Sequence, residues 1–258
     1  MLGDLALGAL ISFGIATMTT PVGVSGAVFL VPVQVSVLGV ANPAVTPTNL
    51  LYNLIAIPGA LFEFRRQRPI GGPLLRLLVL GTVPGVVVGG VLRVEVLPGA
   101  DAFRVVMAAV LIPLGGWLAT SSPLVRKATP GVAERRRIAL LALGVGVVGG
   151  IYGIGGGSIL APVLVGMGFA VAEVAPAALA ATFLTSIAGV LTFAVLSFSA
   201  SGDVAPDWGL GVALGLGGLA GASIGARLQP RLPEGLLRRA LGILALGLGL
   251  GYAVTVLT

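Results

Sequence analysis

Residues 23–33 read GVSGAVFLVPV and residues 153–163 read GIGGGSILAPV, so Gly23, Gly26, Leu30, Pro32 and Val33 recur at constant spacing as Gly153, Gly156, Leu160, Pro162 and Val163. Small residues in series break a helix, and the apolar run that follows each series can start another. The first N–H groups of such a helix have no partner inside it, and its positive dipole end lies beside them, so the start of the helix is a cradle for an anion. The candidates are Gly156, Gly157 and Ser158 in the second copy and Ser25 and Gly26 in the first. Two such helix starts pointing at one axis would bind a small anion with no Lys or Arg inside the membrane. Close packing is the competing use of glycine in membrane helices. The recurrence of the motif at matching positions favours a site. Pro32 and Pro162, about a turn further on, are expected to kink these helices and free further carbonyls.

Polar residues form a second layer. Asn49, Tyr52 and Asn53 fall against Thr182, Thr185 and Ser186 when three residues are inserted, with Asn49 on Thr182 and Asn53 on Ser186. A spacing of four keeps each pair on one helix face, which suits a lining of hydroxyls and amides around a hydrated anion. Hydrogen bonds between helices are the other use of such residues. Glu173, just before an apolar run, is the candidate carrier of a coupling proton. Arg104 and Arg238 occupy equivalent helix starts and read as interfacial anchors.

Other chemistries are excluded by what is missing. The chain has no Cys and no His, which removes disulfides, thiolate or imidazole metal sites, haem ligation and His-based acid–base catalysis. No nucleophile with a base, no carboxylate pair and no G-x-x-x-x-G-K-[ST] loop is present. The sequence is therefore read as a non-enzyme without cofactor or metal, and one that does not hydrolyse ATP. The formal charge of +6 lies in short clusters beside apolar runs, which is the pattern of topology signals and not of nucleic-acid binding.

The elements that must carry these residues are membrane helices. With 57% hydrophobic and 9% charged residues and a mean hydropathy of +1.10, no soluble domain is compatible with this chain. Weak alternation and few aromatics argue against a barrel. Apolar runs lie near 4–19, 23–39, 44–64, 74–92 and 103–119, and again near 138–151, 155–169, 174–198, 208–226 and 236–257. These make a first repeat at 1–120, a cytoplasmic linker at 121–137 and a second repeat at 138–258. Arginines and lysines concentrate at 65–68, 126–137 and 227–239, whereas the loops at 93–104 and 199–207 are neutral or acidic. The former are assigned to the cytoplasm and the latter to the outside. Equivalent loops of the two halves thus have opposite character, and the repeats are inverted, with both termini outside. The runs 138–151 and 155–169 are about 15 residues each, or roughly 22 Å of helix, short of a core about 30 Å thick. Either they are full segments or they are half-helices of a re-entrant hairpin, and the inversion of the repeats holds on both readings. Met1 to Asp4 lack a positive n-region, so the first run is not read as a cleavable signal peptide.

The sequence resembles the sulfite exporter TauE/SafE family of membrane permeases over nearly its whole length. The resemblance rests on the duplicated G-x-G-G-G-x-x-x-x-P pattern, here Gly153, Gly155, Gly156, Gly157 and Pro162, with each half continuing into a Thr- and Ser-containing run. The first copy departs at Ser25 and Ala27, which makes the two half-sites chemically unequal. The resemblance implies a carrier in a prokaryotic inner membrane for small sulfur-containing anions such as sulfite, thiosulfate or a sulfonate.

The expected protein is an all-α polytopic membrane protein of two inverted repeats, about five hydrophobic segments each, with broken or re-entrant helices at the Gly-rich motifs. Its expected function is alternating-access transport of a small sulfur oxyanion around a central site, driven by a proton, ion or substrate gradient. The rival readings are a passive anion channel and a noncatalytic scaffold. Its partners are the anion and the lipid bilayer, and a homo-oligomer is compatible with the sequence.

Overall fold

In lipid every backbone polar group must be satisfied within the protein, and helices satisfy their own. The computed structural model describes residues 2–40, 44–95, 101–120, 132–197 and 205–257, and these are helical with short connections and no strand among them. In chain order the helices are α1 (Leu2–Thr19), α2 (Ala27–Ser36), α3 (Val45–Gln67), α4 (Pro73–Glu95) and α5 (Asp101–Thr120), then α6 (Val132–Tyr152), α7 (Gly156–Gly166), α8 (Val171–Leu196), α9 (Trp208–Leu228) and α10 (Glu234–Leu257). Five of them, α1 with the 3-10 turn that follows it, α4, α8, α9 and α10, are long and apolar enough to cross a membrane.

The expected short segment at 138–151 is corrected by the structure. Residues 132–137, assigned above to the linker, wind into the start of α6, which has 21 residues and is about 31 Å long. Hydropathy hides this because Arg135, Arg136 and Arg137 are exposed in the first turns of a helix that is otherwise apolar. The rest of the linker lies outside the described residues. By contrast α2 and α7 have 10 and 11 residues, about 15 and 16 Å. Nearly all of α7 is buried, from Gly156 through Pro162 and again at Leu164 and Val165. The turn that precedes α7, from Gly153 to Gly155, is buried as well.

The helices pack across the halves. α4 runs along α6 and α9 along α1; α3 lies against α9 and α8 against α4; α3 meets α8, and α5 meets α10. Each pairing has a counterpart when the halves are exchanged. Two glycine ladders account for the tightest of them. A Cβ on Gly81, Gly85 or Gly89 of α4 would collide with the carbonyls of Ala139, Leu143 or Val147 on α6. A Cβ on Gly217, Gly221 or Gly225 of α9 would meet those of Ala9, Phe13 or Thr17 on α1. Helices without a hydrophobic drive between them associate by such close approach.

Candidate functional site

Two sharp corners, after α1 and after α6, carry the duplicated motif inward. Gly23 and Gly153 open them with φ of +80° and +68°, a region that residues with a Cβ rarely occupy. Each corner rests on the first two turns of a helix from the other half. Gly23 abuts the backbone of Ala175 on α8, and Gly153 abuts the carbonyl of Thr46 on α3. The hydroxyl of Thr46 in turn donates to the carbonyl of Ile151 at 3.2 Å.

The corners meet each other. The backbone N–H of Ser25 donates to Oγ of Ser158 at 3.0 Å, and Ser158 Oγ lies 3.4 Å from Oγ1 of Thr182. Oγ of Ser25 donates to Oδ1 of Asn53, whose Nδ2 donates to the carbonyl of Gly153 at 3.4 Å. Ser25, Asn53, Ser158 and Thr182 are all 2% exposed or less. Four elements thus contribute to one buried cluster: the first corner, α3, the start of α7, and α8. Every group in it is neutral, and the N–H groups that open α7 at Gly156, Gly157 and Ser158 have no acceptor within their helix. An arrangement of hydroxyl, amide and helix-start N–H dipoles can bind an anion without a counter-charge. Beside Ser158 lies a cavity of about 20 Å³ lined otherwise by apolar residues, including Val24, Val28, Ile159 and Leu244. A single water occupies roughly 10–15 Å³ on this measure, so the cavity holds one water and no polyatomic anion.

The sulfite exporter TauE/SafE family model matches residues 8–252 of the 258. The chain belongs to this family. No curated protein and no solved structure matches it. As a TauE/SafE protein with several apolar helices of membrane length, it is a multi-pass membrane protein of a transport family.

The other residues singled out in the sequence of this TauE/SafE protein are spread around the cluster. Gly157 faces α8, where a Cβ would collide with the carbonyl of Ala178, and Gly156 faces Thr82 on α4 and Gly146 on α6. Gly26 packs under the hydroxyl of Tyr52, which also faces Ser12, so Tyr52 belongs to the α1–α3 contact. Thr185 donates to the carbonyls of Ala181 and Thr182 in its own helix. Ser186 is buried, and its Oγ has no partner among the described residues. Asn49 points one turn away from the cluster, donating from Nδ2 to the carbonyl of Ala27 at 3.3 Å and accepting from Nε2 of Gln34. Glu173 is exposed and lines a cleft of about 260 Å³ with Arg68, Ile70 and Pro176. The side chain of Arg104 lies outside the described residues. Arg238 is buried, donates to the carbonyl of Val165 at the end of α7 and lies over the ring of Trp117.

Contacts with the corners equate Asn53 with Thr182, not with Ser186. Asn53 reaches the first corner at Ser25, and Thr182 touches the second at Gly155, the residue equivalent to Ser25. Sequence reasoning also missed Gln34, which is fully buried. A lone amide in an apolar run offered the only signal.

Proposed function

We propose that this protein is a secondary transporter of the inner membrane, carrying a small sulfur-containing anion such as sulfite, thiosulfate or a sulfonate. Its two halves act as inverted repeats, and α2 and α7 are the broken half-helices that meet at the central site. The observation that carries the reading is the junction of Ser25 with Ser158, where the paired corners bring helix-start donors into one buried, uncharged cluster. An anion there would replace water on the Ser158 and Thr182 hydroxyls and on the N–H groups of Gly156 and Gly157. Ser25 and Asn53 position these donors across the axis.

Access would alternate between two clefts. One, about 260 Å³, is lined by Pro176 at the start of α8, and the other, about 190 Å³, by Pro47 at the start of α3. Each proline directly follows the residue on which a glycine corner rests, Ala175 or Thr46. Movement of a corner against its helix would therefore open one cleft toward the centre while the other stays shut, which is the rocking expected of inverted repeats. The basic loop containing Arg68 would face the cytoplasm, and both termini the outside. Glu173, at the first cleft, is the candidate for a coupling proton.

The test is counterflow of radiolabelled sulfite in proteoliposomes. A saturable uptake driven by internal unlabelled sulfite supports the carrier; conduction without counterflow would favour a channel, and absence of flux would favour a scaffold. Glu173→Gln, assayed in the same vesicles, should weaken proton-driven uptake and leave exchange intact if that carboxylate carries the coupling proton.

A further inference from the structure

Hydrogen bonds run without interruption from the central cluster along the seam between α2 and α3. Oγ of Ser25 accepts from the N–H of Ala27 at 3.2 Å, the carbonyl of Ala27 accepts from Nδ2 of Asn49 at 3.3 Å, and Oδ1 of Asn49 accepts from Nε2 of Gln34. The chain ends at Oε1 of Gln34, which is buried and has no donor among the described residues. Gln34 shares a face of α2 with Ala27 and Leu30, which sit in an apolar cluster with Ala56, Leu210 and Leu214. The one hydroxyl-bearing member of that cluster, Tyr52, is turned toward Ser12 and Gly26.

A buried acceptor without a donor is unfavourable, and in a native fold it calls for a reason. Packing alone supplies none, because the second half manages without the amide. Gln34 falls on Leu164 at the spacing of the duplicated motif, and Asn49 falls on Ala178 in the register that equates Asn53 with Thr182. The amide pair is thus an addition to one half of an otherwise matched arrangement, and its free end accepts only a hydrogen.

We propose that Oε1 of Gln34 is a specificity determinant that selects, among small sulfur anions, those carrying a hydrogen-bond donor such as a hydroxyl or an ammonium. The proposal rests on the central-site reading above and adds the substrate class to it. The cluster at Ser158 and Thr182 holds the sulfonate oxygens, and the α2–α3 seam receives the donor-bearing end. A site that hydrogen-bonds a substrate hydroxyl rejects the analogue lacking it, because the protein group is then left unpaired.

Isethionate and ethanesulfonate have the same charge and differ only by that hydroxyl. Their dissociation constants are measured by thermal unfolding of the detergent-solubilised full-length protein across a concentration series of each. The wild type is expected to bind isethionate on the order of tenfold more tightly. Gln34→Leu, which installs the residue of the second half, and Gln34→Met, which keeps the length of the side chain, should bind both anions alike at the level of ethanesulfonate. Binding of both without preference in the wild type, as when a water satisfies Gln34, would overturn this proposal and leave the central site standing. A preference that persists in Gln34→Met would overturn it equally. Stabilisation of the wild type by sulfite but by neither sulfonate would overturn this proposal alone, and stabilisation by none of the three would overturn the central-site reading together with it.

Discussion

The N–H of Ser25 and Oγ of Ser158 are joined at 3.0 Å although 133 residues separate them in the chain. That bond joins the two halves of the protein at the corners opened by Gly23 and Gly153. Ser158→Ala removes the acceptor and leaves a buried N–H unmatched, at a cost of about 1–3 kcal/mol. A lower thermal midpoint and reduced sulfite counterflow are expected together, with restoration of both in Ser158→Thr.

Asn53→Asp tests the electrostatics of the cluster with little change of shape. The carboxylate still accepts from Ser25, but it places a negative charge beside the proposed anion site and faces the Gly153 carbonyl with an acceptor. Sulfite binding measured by thermal stabilisation should fall more than about tenfold, since like charges in a poorly solvated site repel strongly. Undiminished sulfite binding would remove Asn53 from the anion site.

The two corners predict an asymmetry under exchange of their residues. Gly155 has φ +66° and ψ 136° and lies against Thr182, whereas among the described residues none with a Cβ has positive φ, Ser25 included. Gly155→Ser should therefore destabilise by about 1–3 kcal/mol, since such backbone is almost confined to glycine. Ser25→Gly should fold normally and lose only the Oγ bonds to Asn53 and Ala27. Equal thermal midpoints for the two variants would contradict this geometry.

The glycine ladders predict matched losses in helices far apart in sequence. Gly85→Ala and Gly221→Ala each drive a methyl against a carbonyl of the neighbouring helix, and each should cost about 1–3 kcal/mol. Gly144→Ala and Gly247→Ala place theirs in open space. Those two should be neutral or raise stability by up to about 1 kcal/mol through helix propensity. Thermal unfolding of the four variants side by side separates the classes.

Much of this was legible in the sequence. Most helix boundaries followed from hydropathy, and the duplicated motif contains Ser25 and Ser158, which join the two corners. Three features were not legible, each for a physical reason. The start of α6 was masked by Arg135, Arg136 and Arg137, which end an apolar run without ending a helix. The pairing of Asn53 with Thr182 was displaced by about a turn, because matching polar residues in a row cannot reveal where a corner touches its helix. Gln34 was passed over because the group that explains it, Asn49, lies on another helix.

The glycine ladders also govern how such a chain can be made. α1 has its close-packed partner in α9, which begins at Trp208, while α1 ends at Thr19. At about 5–20 residues per second of synthesis, the first helix stands in the bilayer for roughly 10–40 s before that surface exists. During that interval the backbone face that will be covered by Gly217, Gly221 and Gly225 is available to lipid or to other helices. Neither half is therefore a self-sufficient folding unit, and biogenesis must hold α1 unpaired until the last fifth of the chain arrives.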